Sequence, residues 1–205
     1  MNISILKSKA KEQLKGRWKL AIITVLVSNL FINADLIKVY VNMFSDTSKS
    51  FSFSLNLFSL LFGGVIYVGL NRFLLNFITN ENTPKFKDLF SHFNIFFKIL
   101  CLYIVMGIVI LLASLLLLIP GIIVALMYSQ VFYILAEDPN KGIMECLKES
   151  SNLMYGYKWK FFVLELSFIG WWIVASLTLG IGGLWVEPYQ KVTETNFYLK
   201  LKYNV

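Results

Sequence analysis

The sequence predicts an all-α fold, a polytopic transmembrane helical bundle, and three observations carry that prediction. Hydrophobic residues make up 57% of the chain and charged residues 15%, against roughly 45–50% and about 25% in ordinary soluble domains. The charges, 19 Lys plus Arg and 12 Asp plus Glu, cluster between long uncharged stretches, the pattern of membrane spans alternating with watery loops. The longest such stretch, Ile99 to Ala136, has 38 residues; as one helix it would reach ~57 Å against ~30 Å of hydrocarbon, so it must fold back on itself.

Taken in order, the chain opens with an amphipathic helix over about 2–15, carrying Ile5, Leu6, Lys9 and Leu14, and enters a first span at about 17–34. That span contains Asn29 and Asn33, and Trp18 and Lys19 extend it by snorkelling. Its apolar run passes position 30 without a small-residue cleavage site, which reads as a retained span rather than a signal peptide. The second span covers about 55–79, and its Gly63, Gly64 and Gly69 offer small surfaces for close helix packing. A second amphipathic helix follows at about 85–94. Pro120-Gly121 is the expected turn in the long apolar block, because proline lacks an N–H and glycine tolerates unusual dihedrals; this gives spans at about 98–118 and 120–136. A third amphipathic helix at about 141–155 leads into a span at about 160–179. Gly180, Gly182 and Gly183 then turn the chain into a final helix at about 184–201.

The final helix is polar for a span, with Glu187, Lys191 and Glu194 at helical spacing on one face. Shielded inside the bundle it makes six spans; lying flat on the outer surface it leaves five and an interfacial helix. With six, 16 of the 19 basic residues fall on the cytoplasmic side, and with five only 14. The positive-inside rule therefore favours six, with the N- and C-termini in the cytoplasm. The three inward segments share a junction of Gly or Asn, then an aromatic, then Lys: Gly16-Arg17-Trp18-Lys19, Asn94-Ile95-Phe96-Phe97-Lys98 and Gly156-Tyr157-Lys158-Trp159-Lys160. Gly and Asn accept the left-handed conformation that ends a helix. The bundle thus reads as three copies of an amphipathic helix plus a transmembrane hairpin.

Several chemistries are disfavoured. One histidine, His92, cannot build a multi-histidine centre, and Cys101 and Cys146 have no Cys-x-x-Cys spacing, so no metal site and no cofactor are expected. No P-loop, nucleophile-elbow or zincin string occurs, and no catalytic residue stands out. The net charge of +7 is accounted for by inward loops, which calls for no nucleic acid. The intramembrane polar candidates are Glu165 and Arg72, which either form an ion pair between helices or snorkel independently, and the face of Glu187, Lys191 and Glu194. Trp18, Trp159, Trp171, Trp172 and Trp185 read as interface anchors.

The strings Leu14-Lys15-Gly16-Arg17-Trp18-Lys19, Asp88-Leu89-Phe90-Ser91-His92-Phe93, Ile119-Pro120-Gly121-Ile122-Ile123 and the C-terminal third from Glu145 to Tyr189 resemble an uncharacterised bacterial integral membrane family, the domain of unknown function 975. The resemblance implies a polytopic bacterial membrane protein and supplies no reaction. The reading that follows is a non-enzymatic protein of the bacterial cytoplasmic membrane, acting as an accessory, envelope-homeostasis or self-protection factor. Its expected partners are membrane lipids, with anionic headgroups at the Lys-rich cytoplasmic segments, and a membrane protein partner or a second copy of itself. A small transporter or channel is the alternative, and an intramembrane lipid-modifying enzyme a further one.

Overall fold

The computed structural model describes residues 2–32, 48–79, 84–178 and 180–203, and these are all-helical apart from turns. Helix α1 (Ile3–Leu14) is capped by Asn2, whose Oδ1 accepts from the Ser4 N–H at 3.0 Å. It buries Leu6, Ala10 and Leu14, one stripe at a spacing of four, against the C-terminal helix. Gly16, at φ +80°, turns the chain into α2 (Trp18–Ile32). The expected span at 17–34 matches α2 up to Ile32; Asn33 and Ala34 lie outside the described residues. Helix α3 (Ser48–Thr79) is longer than the expected 55–79.

The expected amphipathic helix at 85–94 is instead two short 3-10 turns, Phe86–Phe90 and Phe93–Ile95. The cause is how tightly the segment is held on α3. The Asp88 carboxylate accepts from the Lys85 N–H at 3.1 Å and from Asn76 Nδ2 at 3.0 Å. Gly69 lies so close to the Leu89 backbone that an added Cβ would stand 2.0 Å from its carbonyl oxygen. A segment pinned through its backbone at that distance has no room for a regular helix with a full ring of side chains.

Helices α4 (Phe96–Leu116) and α5 (Leu118–Met127) form the expected hairpin, but the turn is at Leu117, whose backbone is extended, and not at Pro120-Gly121. Pro120 is the third residue of α5, where the amide N–H has no helical acceptor and proline costs nothing. Gly121 is a contact residue rather than a turn residue: an added Cβ would stand 2.1 Å from Ser114 Oγ and 2.9 Å from its Cα. A second break at Tyr128–Gln130 separates α5 from α6 (Val131–Glu137), so the expected helix at 120–136 is two. Helix α7 (Ile143–Leu153) matches the third amphipathic segment, and Gly156, at φ +76°, leads into α8 (Lys158–Leu177). Of the three junctions, those at Gly16 and Gly156 share the left-handed glycine; the middle one, at Asn94, sits inside a 3-10 turn. Gly180, at φ +86°, turns the chain as expected into α9 (Gly183–Tyr203), and the expected end near Leu179 lies outside the described residues.

Four helical segments among the described residues are long and apolar enough to cross a membrane: Leu61–Thr79, Phe86–Leu115, Ile119–Glu137 and Lys158–Leu177. They mark the chain as a membrane protein. Helix α9 is packed against α1, α2, α3 and α8, and every residue from Val192 to Leu199 is buried. The polar C-terminal helix is therefore shielded inside the bundle, and the apolar helices α4 and α8 face outward.

Candidate functional site

Along α9 the sequence Glu187-Pro188-Tyr189-Gln190-Lys191-Val192-Thr193-Glu194 repeats polar groups at intervals of three and four, which puts Glu187, Gln190, Lys191 and Glu194 on one face. The structure turns that face toward α8, α3 and α2. Glu165 of α8 accepts a hydrogen bond from Gln190 Nε2 at 2.7 Å through Oε2, and Gln190 Oε1 accepts from Trp172 Nε1 at 2.8 Å. Lys191 pairs with Glu194 at 2.9 Å, and its ammonium lies 5.6 Å from the centre of the Tyr67 ring on α3. Glu187 accepts from Asn29 Nδ2 of α2 at 2.5 Å. The asparagine that weakens the first span in hydropathy thus has a partner in the last helix.

These groups line two adjoining cavities. The larger, about 480 Å³, is bounded by Glu165, Gln190, Lys191 and Glu194 on one side, by Tyr67, Tyr103, Met106 and Phe132 on another, and by Ser59, Tyr128 and Ser129. The smaller, about 270 Å³, lies between Asn29, Trp172 and Glu187, and shares Tyr67, Gln190 and Lys191 with the first. In the larger cavity two buried oxygens, Glu165 Oε1 and Ser59 Oγ, have no hydrogen-bond partner among the described residues. Such atoms are rare in folded proteins, because an unsatisfied buried polar group costs ~1–3 kcal/mol. Tyr128 and Ser129 reach the wall where the helix breaks between Met127 and Val131.

Four of the five candidate residues are brought together: Glu165, Glu187, Lys191 and Glu194. Arg72 is not with them. Its Nη1 donates to the Ala136 carbonyl at 3.5 Å and it lines a separate cavity, so the candidate Glu165–Arg72 ion pair is replaced by the Glu165–Gln190 bond. The reason is register along α3: Tyr67 faces α9 at the level of Lys191, and Arg72, five positions on, turns toward α6. Of the aromatic anchors, Trp159, Trp171, Trp172 and Trp185 are exposed and Trp18 is half-buried, and Trp172 also bonds into the cavity network. Sequence reading missed Gln190, Tyr67, Ser59 and the role of Asn29. Gln190 and Asn29 left a signal as polar residues in apolar or patterned segments; Tyr67 and Ser59 left none.

Among the described residues no group of His, Cys, Asp and Glu side chains is placed to hold a metal ion. What the site offers is hydrogen-bond acceptors, one ammonium and aromatic walls. A family model described as a protein of unknown function (DUF975) matches residues 1–121 and 113–204, nearly the whole chain. The chain belongs to the DUF975 family. No curated protein and no solved structure matches this DUF975 chain.

Proposed function

We propose that this DUF975 protein is a non-enzymatic, six-span protein of the bacterial cytoplasmic membrane that captures a small amphiphile bearing an ammonium or amide head in the cavity around Glu165. The observation that carries the reading is the meeting of Glu165, Gln190, Lys191 and Glu194 on one cavity holding two buried oxygens without a partner among the described residues. Both oxygens call for a donor, and the cavity wall has two carboxylates against one ammonium. Aromatic faces at Tyr67 and Tyr103 suit a cationic head, and Met106 and Phe132 an apolar tail. Six spans with both termini inside are supported by the burial of α9 and by the 16 basic residues that then face the cytoplasm. The three-hairpin repeat is part of the same reading, supported by the matching glycine turns at Gly16 and Gly156. Capturing such a molecule in the bilayer suits an accessory or self-protection role.

The test is thermal stabilisation of the purified protein in a non-ionic detergent by octylammonium, with octanol and octanesulfonate as controls. Octylammonium should raise Tm, and Glu165→Gln should weaken its binding by about tenfold, ~1.4 kcal/mol. Equal stabilisation by octanol or octanesulfonate would sink the reading. One observation favours transport as a second reading: the helix break at Tyr128–Gln130 opens onto the cavity, as interrupted helices do at transporter substrate sites. Flux of a labelled alkylammonium into proteoliposomes, lost in Glu165→Gln, would support it; binding without flux would reject it.

A further inference from the structure

Arg72 lies apart from the Glu165 site, and its surroundings form a cavity of their own. The cavity at the C-terminal ends of α3 and α9, about 660 Å³, brings together Arg72 and Asn76 of α3, Lys9 and Gln13 of α1, and Glu137 and Tyr203 from α6 and α9. A guanidinium has five N–H donors in a rigid fork, and among the described residues that of Arg72 makes a single bond, at 3.5 Å, to the Ala136 carbonyl. That distance is beyond the normal range for a charged donor. Lys9 arrives from a different helix, and neither Lys9 nor Arg72 has a carboxylate partner among the described residues.

The other polar groups in the cavity are already occupied. Gln13 and Asn196 exchange amide hydrogen bonds at 2.6 and 3.2 Å, and Asn76 donates to Asp88 at 3.0 Å. The one carboxylate, Glu137, accepts from Tyr198 at 2.7 Å and from Tyr203 at 2.6 Å, and is paired with Lys202. Lys202 cancels its charge. What remains is two cations from two helices, facing one roomy, half-polar cavity whose one lining carboxylate among the described residues, Glu137, is paired with Lys202.

We infer that this cavity is an anion site in which Arg72 and Lys9 hold a phosphate group, from a lipid headgroup or from free phosphate. The fork of Arg72 takes two phosphate oxygens and the Lys9 ammonium a third. The site is separate from the octylammonium cavity and does not rest on that reading. Because α1 supplies Lys9 and α3 supplies Arg72, an occupant ties the N-terminal helix to the body of the bundle.

The experiment is thermal unfolding of the full chain in a non-ionic detergent, with dihexanoyl phosphatidylglycerol, dihexanoyl phosphatidylcholine, or inorganic phosphate against chloride at equal ionic strength. Wild type should be stabilised by phosphatidylglycerol over phosphatidylcholine, by inorganic phosphate over chloride, or by both. The first alone assigns a lipid headgroup and the second alone free phosphate. Arg72→Gln and Lys9→Gln should each weaken the response by about tenfold. Lys9→Gln, on a half-exposed position, keeps the test open if Arg72→Gln fails to fold. Two results overturn the site: wild type indifferent to both probes, or variants that shift the baseline Tm and leave the response unchanged, as a merely structural arginine capping α6 would.

Discussion

Helices α4 and α9 are of the same length and have opposite relations between sequence and burial. Helix α4 is almost wholly apolar, yet Ile104, Ile108, Leu111, Leu112 and Leu115 stand exposed, Leu115 to 83%. Helix α9 carries Glu187, Gln190, Lys191, Thr193, Glu194, Thr195 and Asn196, yet it is the helix other helices surround. In water this would be an inside-out bundle. In lipid it is the stable arrangement: an exposed leucine loses nothing against acyl chains, while every polar group must find a partner inside the protein. The partners are present, in Lys191–Glu194, Gln190–Glu165, Asn196–Gln13 and the Thr193 hydroxyl on the Tyr189 carbonyl. The contrast teaches that hydropathy alone ranks these two helices in the wrong order of importance: the less apolar of the two is central.

The sharpest way to break the α9 half of this contrast is to leave one of its charges alone. Glu194→Leu strands the Lys191 ammonium, whose side chain is 20% exposed against 7% for Glu194. Breaking a buried pair from one side costs ~3–5 kcal/mol, and the partial exposure of Lys191 sets the expectation at ~3 kcal/mol. Adding Lys191→Met should restore most of the loss. Unfolding in detergent of the two single variants and the double variant measures the coupling, and additive losses would mean that α9 is hydrated rather than shielded.

The α4 half is tested by the reverse substitution. Ile108, 51% exposed near the middle of the helix, should tolerate alanine with little effect, while Ile108→Lys should cost ~2.5 kcal/mol of insertion free energy. On a water-facing helix the same lysine would change stability by within ~0.5 kcal/mol. Insertion of the full chain into membranes, measured for wild type and variant, separates the two; a harmless lysine would place α4 against water.

The two halves were not equally legible. Spacing within one helix is a local property, so the Glu187, Lys191, Glu194 face, the glycine turns at Gly16, Gly156 and Gly180, and the apolar spans could be read from the chain. Meetings between helices depend on rotation and register, which the sequence states only indirectly. Glu165 and Arg72 look like partners by depth and charge, yet a few residues along α3 decide that Tyr67 meets Lys191 and Arg72 meets Ala136. The 3-10 turn at Phe86–Phe90 escaped for the same reason: its cause is the approach of Leu89 to Gly69, twenty positions away in sequence and adjacent in space.

The last prediction concerns the α4–α5 turn, where sequence and structure assign the same dipeptide different work. If Pro120-Gly121 were the turn, Pro120→Ala would loosen it and Gly121→Ala would strain it through backbone conformation. In the structure the turn is Leu117, Pro120 lies in the first turn of α5, and Gly121 faces Ser114 across the hairpin. Pro120→Ala should then be almost neutral, since no helical hydrogen bond is gained or lost there. Gly121→Ala should cost ~1–3 kcal/mol by overpacking. Ser114→Ala should relieve only part of that cost, because the serine Cα and Cβ each stand 2.9 Å from the added methyl as well as the Oγ at 2.1 Å. Thermal unfolding of the two single glycine and proline variants and of the Gly121→Ala, Ser114→Ala pair decides it: a larger loss from Pro120→Ala than from Gly121→Ala would return the turn to the dipeptide.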